Sequence, residues 1–275
     1  MKPKVLKKLI EAAYDSEDSH DLLLDYIDNH DFALKPSKKI NYVGIEIECF
    51  SQKSDVKLQE ILLEMDLEKY VTIGGDSSID DPYRDQGIEL RCLIPENKLD
   101  KILPKIGKAL KKHKCEVNLS CGLHIHLDMR NRKVIDCYKK LVKFQDIMYG
   151  LVKTNRWANE MCYFTHKYTK SRYTAVNLNS YNKHKTIEVR LHHGTVDVKE
   201  IQNWINLLLK CIKNTIIKDV ASKEDVIKWA GKDKKIQAYV KKKYNKDFFI
   251  RKEKIIDESF RDTQPDTLNP EVLFR

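Results

Sequence analysis

Between Asn41 and Phe50 the odd positions Val43, Ile45, Ile47 and Cys49 are apolar, while the even positions include Gly44, Glu46 and Glu48. Side chains of a strand alternate between its two faces, so one side of this strand is core and the other presents two carboxylates. The same partition recurs in Ile88-Glu89-Leu90-Arg91, in Leu123-His124-Ile125-His126-Leu127-Asp128, in Val176-Asn177-Leu178-Asn179 and in Ile187-Glu188-Val189-Arg190-Leu191-His192. The pattern predicts strands at about 41–50, 71–75, 86–93, 115–119, 122–128, 173–180 and 185–193. Helical periodicity predicts one or two helices over 4–30, broken or capped near Asp15, Ser16 and Asp18. It also predicts helices over 132–152 and 200–213 and a lysine-rich helix over 223–245. Asp257 to Arg275 reads as an extended tail. Strands mixed with helices, without regular βαβ alternation, indicate an α+β fold on an antiparallel sheet. Three stretches follow: a helical extension over 1–39, a main body over 40–215, and a basic helical segment with its tail over 216–275.

The polar faces of these strands have an unusual make-up. Lysine dominates the chain elsewhere, yet the strands offer Glu, His, Asn and Arg, and glutamate is a poor strand former. If the strands share one sheet, Glu46, Glu48, Glu89 and Glu188 converge. Their repulsion then raises carboxyl pKa values unless cations occupy the site. Magnesium suits such a group, because it takes a few carboxylates and leaves positions for water and substrate phosphates. Arg190 can hold phosphate oxygens bidentately. Two other metals stay open. Cys115, Cys121, His124 and His126 are possible zinc ligands, although their spacing is not that of a knuckle. His124-x-His126 also suits non-haem iron, which the many glutamates fit less well. No Gly-x-x-x-x-Gly-Lys or Gly-x-Gly-x-x-Gly loop is present, so a P-loop or Rossmann mode of nucleotide binding is not expected.

Charge changes the picture locally. The chain of 275 residues has a net charge of +10. Lys210 to Lys254 holds 15 Lys/Arg against 6 Asp/Glu, an excess of +9. The basicity therefore belongs to one segment, either a solvated helix face or a weak polyanion or nucleic-acid contact over residues 210–254. The 7 cysteines are odd in number and include no CxxC pair. They read as reduced, partly buried thiols of a cytoplasmic protein. No apolar run approaches the roughly 18 residues that span a bilayer, and Met1 to Ala13 lacks the pattern of a secretory signal.

Taken in order, the motifs resemble a known family. Gly44-Ile45-Glu46-Ile47-Glu48, Gly75-Asp76-Ser77-Ser78 and Gly87-Ile88-Glu89-Leu90 open the series. Asn118 through His126, Arg172-Tyr173 with Asn177-Leu178-Asn179, Thr186 through Arg190, and Gly194-Thr195-Val196-Asp197 before the Trp204 helix complete it. Over residues 40 to 215 the chain resembles the putative amidoligase family of phages, bacteria and fungi, a branch of the glutamine synthetase and glutamate–cysteine ligase superfamily. The resemblance implies a curved sheet of six antiparallel strands with helices on its convex side. It further implies two or more Mg²⁺ ions, ATP as co-substrate, and a small carboxylate and an amine or peptide joined through an acyl phosphate. It implies metal-binding roles for Glu46, Glu48, Glu89, Glu188 and His124, and phosphoryl neutralisation by Arg190. Arg156 and Arg172 match family arginines expected at phosphate or substrate carboxylate. Asn177 and His126 are expected at the nucleotide, and His126 is also a candidate acceptor for the amine's proton. Arg91-Cys92 departs from relatives, which more often carry a small polar residue there. Another metal-dependent phosphoryl enzyme (a guanidino-type kinase or a nuclease) and a catalytically silent binding module are the alternatives.

Overall fold

The computed structural model describes residues 3–13, 40–157, 159–165, 171–214 and 222–260. Six strands, β1 Tyr42–Cys49, β2 Val71–Asp76, β3 Gly87–Pro95, β4 Gly122–Asp128, β5 Val176–Asn177 and β6 Thr186–His193, form an antiparallel open sheet in the order β2-β3-β1-β4-β6-β5. With the helices this makes an α+β fold. The chain divides into two compact units, one of residues 1–123 and 194–202, the other of residues 124–193 and 203–275.

In the first unit β3 lies between β1 and β2, with Glu48 opposite Glu89 and Glu46 opposite Arg91 on one side, and Gly74 opposite Glu89 and Thr72 opposite Arg91 on the other. The apolar positions Val43, Ile45, Ile47, Ile88, Leu90 and Cys92 are all buried. The helix Leu99–His113 buries Leu99, Ile102, Leu103, Ile106 and Leu110, the spacing of one helical face. The sequence pattern misses this helix, because Pro104 and Gly107 interrupt the lysine-rich stretch and Pro104 removes an intrahelical donor.

The strand expected over 115–119 is not formed. Glu116 pairs only with Phe50, through hydrogen bonds of 2.9 and 3.0 Å. Asn118 then bends the chain, its Oδ1 accepting from the Ser120 N–H and its Nδ2 donating to the Asp80 carbonyl. Such a local side-chain bond competes with a ladder.

In the second unit the strand expected over 173–180 shrinks to Val176–Asn177. Asn177 Oδ1 accepts from the Asn179 N–H and turns the chain into a short helix at Tyr181–His184. The helix Val134–Leu151 buries Leu141, Phe144, Ile147 and Met148. The lysine-rich helix expected over 223–245 is two helices, Lys223–Ala230 and Lys234–Lys243. Gly231, at φ 58°, ends the first, and Asp233 caps the second by accepting from the N–H groups of Lys235 and Ile236. Val226, Ile236, Tyr239 and Val240 are buried, and the Trp229 ring packs at a tilt against Phe144 with centroids 4.8 Å apart. A further helix, Asp247–Phe260, follows the expected lysine-rich helix and replaces the start of the expected extended tail. Phe248 sits 5.2 Å from the Tyr149 ring, and Lys252 pairs with Asp146. The second helix expected before residue 30 and the tail beyond residue 260 lie outside the described residues.

Candidate functional site

The first unit gathers carboxylates on the polar side of β1, β2 and β3. Glu48, Asp76 and Glu89 each offer an oxygen, and the three oxygens lie within 4.8 Å of one another. Strand register explains the arrangement: Glu48 and Glu89 are direct neighbours, and Asp76 ends β2 one step along, opposite Gly87. Glu48 is buried and accepts a hydrogen bond from the Gly122 N–H. Asp76 Oδ1 is held by the N–H and hydroxyl of Ser78, at 2.8 and 2.7 Å. Burial, together with the charges of Glu46, Asp76 and Glu48, pushes the Glu89 carboxyl up to about 8, against the opposing pull of Arg91. Burial is the largest of these causes, and the neighbouring carboxylates add to it. The donors are all carboxylate oxygens, the set that magnesium or manganese prefers.

Beside Glu89 lies Arg91, whose Nε is 3.6 Å from Glu89 Oε2 and whose Nη2 donates to the Ile73 carbonyl at 3.1 Å. Glu46 faces Arg91 across the β1–β3 ladder and is half-buried.

The second unit holds a different set. Glu188 and Arg190, two residues apart on β6 and therefore on one face, form a buried ion pair at 2.7 Å. Arg190 Nε also donates to the Met161 carbonyl at 3.4 Å. Asn177 lies opposite Glu188 in the β5–β6 ladder, and its Nδ2 donates to the Arg172 carbonyl at 3.1 Å. Arg172 itself is exposed, with its guanidinium 5.6 Å above the Tyr173 ring. His124 is buried, and His126 is half-buried with Nδ1 3.2 Å from Thr186 Oγ1. Arg156 is fully buried on a single 3₁₀ turn, and it donates from Nε and Nη2 to the carbonyls of Leu191 and Arg190. These bonds tie the turn to β6.

Two features escape the sequence pattern. Asp76 stands in the quoted Gly75-Asp76-Ser77-Ser78 motif, but its place beside Glu48 and Glu89 depends on the β2–β3 register, which a run of six residues does not announce. Arg130 grips Asp128 with Nε and Nη2 just past β4, and Arg132 donates to the Asp128 carbonyl at 2.6 Å. This arginine corner gives the end of β4 a fixed exit. All seven cysteines are buried and unpaired.

No helix of the described residues is long and apolar enough to cross a membrane. No curated protein matches the chain. The stretch that includes Arg156, Arg172, Asn177, Glu188 and Arg190, residues 139–212, matches the model of the family described as putative amidoligase enzyme, the family that the motif series resembles.

Proposed function

We propose that this protein is an ATP- and Mg²⁺-dependent carboxylate–amine ligase that forms an amide or peptide-like bond through an acyl phosphate. The observation that carries this reading is the convergence of Glu48, Asp76 and Glu89 in a chain whose matched family is one of ligase-like enzymes. Glu48, Asp76 and Glu89 would hold magnesium or manganese, with Glu46 adjacent. His124 and Glu188 are the candidate ligands of the second unit. A cation held there would supply charge neutralisation to phosphate oxygens.

Phosphoryl transfer needs positioning and neutralisation more than a covalent nucleophile, so these residue types suffice. The substrate carboxylate attacks the γ-phosphorus of ATP, and ADP leaves. The amine nitrogen then attacks the acyl carbon, and phosphate leaves with the bonding electrons. The proton that the amine gives up goes to His126 or to a carboxylate of the site. Arg190 neutralises the transferred group, and its guanidinium is already oriented by Glu188 and the Met161 carbonyl, so little reorganisation is needed. Asn177 and Arg172 contact nucleotide phosphate. Arg156 is assigned to positioning, because its bonds to the Leu191 and Arg190 carbonyls fix the strand that bears Arg190.

The test is incubation with ATP, Mg²⁺ and mixed carboxylates with amino acids or polyamines. The ligase releases ADP and free phosphate only when both acceptors are present. Mass spectrometry then finds a product lighter by one water than its two components. ADP without free phosphate would instead identify a kinase, and cleaved nucleic acid without ATP use would identify a nuclease.

A further inference from the structure

Arg91 stands beside the Glu48–Asp76–Glu89 carboxylates of the first unit, and its seat is made by an absence. Gly74 lies on β2, opposite Glu89 and one residue from the Ile73 carbonyl that Arg91 Nη2 binds. A Cβ on Gly74 would stand 2.6 Å from Nη2 and 3.1 Å from Cζ of Arg91. The guanidinium therefore lies against the bare backbone of β2, and any side chain at position 74 would displace it.

The bonds that hold Arg91 there do not use its capacity. An arginine offers five N–H donors in a planar fork. Here Nη2 reaches Ile73, while Nε is buried, 3.6 Å from Glu89 and without a hydrogen bond. About a third of the Arg91 side chain, 34%, is exposed, so the remaining donors are open to a ligand. Arg91 stands two residues from Glu89 on the same face of β3, about 7 Å along the strand. That offset sets a guanidinium beside the Glu48–Asp76–Glu89 group without occupying it.

We propose that Arg91, seated on Gly74, reads an oxyanion of the substrate bound next to these carboxylates, either a phosphate of the nucleotide or a carboxylate of the acceptor. The planar fork suits both. The proposal rests on the reading that the carboxylates hold a divalent cation.

The experiment uses the full chain in four forms: wild type, Arg91→Gln, Gly74→Ala and the double variant. Mn²⁺ binding is followed by electron paramagnetic resonance. ATP and a panel of amino acids bearing one or two carboxylates are titrated by calorimetry, with and without metal. Mn²⁺ affinity should be unchanged or tighter in every variant, because a positive charge is removed or displaced. Arg91→Gln should weaken one class of anion tenfold or more. Loss on ATP identifies a phosphate, and loss on the amino acids identifies a carboxylate. Gly74→Ala should reproduce that loss, since the added methyl meets only the end of a flexible side chain and leaves the strand in place. The double variant should be no worse than either single one. Wild-type affinity for both anions in Arg91→Gln would overturn the proposal, and so would losses that add in the double variant. A wild-type protein that binds no Mn²⁺ would sink the metal reading alone, while anion binding that depends on Arg91 would still be scored in the metal-free titrations.

Discussion

Replacing Glu89 by Gln tests the electrostatics of the carboxylate group without altering its shape. The ordinary value for this carboxyl is 4.5, and in the folded chain it is held up to about 8 by burial and by Glu46, with smaller contributions from Asp76 and Glu48. The folded protein therefore keeps a proton that the unfolded chain releases. Stability from this group is fully present below pH 4.5 and is lost as the pH rises through about 8. Each pH unit of that interval is worth about 1.4 kcal/mol, so the whole interval sets an upper bound of about 5 kcal/mol. Relaxation around a side chain that is 19% exposed reduces the expected effect to about 1–2 kcal/mol. In EDTA, wild-type stability measured by urea unfolding should fall by about that amount more than Glu89→Gln stability between pH 5 and pH 8. At pH 8 the metal-free variant should melt higher than wild type by about 2–6 °C. Magnesium should raise the wild type at pH 8 by mass action and raise the variant less. Identical pH slopes for the two proteins in EDTA would refute the reasoning.

Four further outcomes are expected. Glu46→Gln and Glu188→Gln should abolish turnover, and in Glu188→Gln the loss of the buried partner of Arg190 should cost about 3 kcal/mol by urea unfolding; full turnover in either variant would remove that residue from the chemistry. His113 is buried with both ring nitrogens unbonded, and burial with the charges of Lys53 and Arg84 lowers its pKa from 6.5 to about 4. Its contribution is present above pH 6.5 and is lost as the pH falls through about 4, so His113→Phe should remove up to about 3 kcal/mol of acid sensitivity, as read by melts between pH 7 and pH 4. On the helix Lys234–Lys243 the outward residues Lys234, Lys235, Lys241 and Lys242 are all exposed; weak, sequence-indifferent binding to duplex or single-stranded DNA should appear at low salt, fall steeply as salt rises and vanish when Lys241, Lys242 and Lys243 become Glu, with small-substrate turnover unchanged. The seven buried thiols should resist a thiol reagent in native protein and react once it is unfolded; rapid labelling of any of them before unfolding would show that a cysteine is accessible.

What the sequence reveals here tracks the period of each pattern. Strict alternation marks β1, β3, β4 and β6 to within a residue or two, because one face of each carries Val, Ile or Leu and the other carries Glu, His or Arg. The same alternation puts Glu46 with Glu48 and Glu188 with Arg190 on common faces. It is blind where side chains bond their own backbone, as at Asn118 and Asn177, and so the strands expected at 115–119 and 173–180 fail or shrink. Helical breakers mislead in both directions. Pro104 and Gly107 hide a helix of 15 residues, whereas Gly231 divides a lysine-rich run that reads as continuous. Contacts set by ladder register, such as Asp76 with Glu89 and Arg91 with Gly74, depend on which strands pair and by what offset. Arg156 shows the same limit: the family resemblance implied a phosphate or substrate carboxylate, and only the fold reveals the two backbone carbonyls it binds.

The first unit is not a contiguous piece of chain. Residues 194–202 belong to it, although seventy intervening residues belong to the second unit. Gly194 donates its N–H to the Cys121 carbonyl at 2.8 Å, and a Cβ on it would lie 2.4 Å from Cys121 Cβ. Val198 presses on the bare backbone of Gly107, where a Cβ would stand 2.3 Å from its Cγ2. During synthesis the amino-terminal strands therefore wait, with part of their interior uncovered, until residue 202 has left the ribosome. Truncation after residue 123 would yield the same unfinished body, and a ribosome stalled before Gly194 should display it to proteases and chaperones that ignore the finished protein.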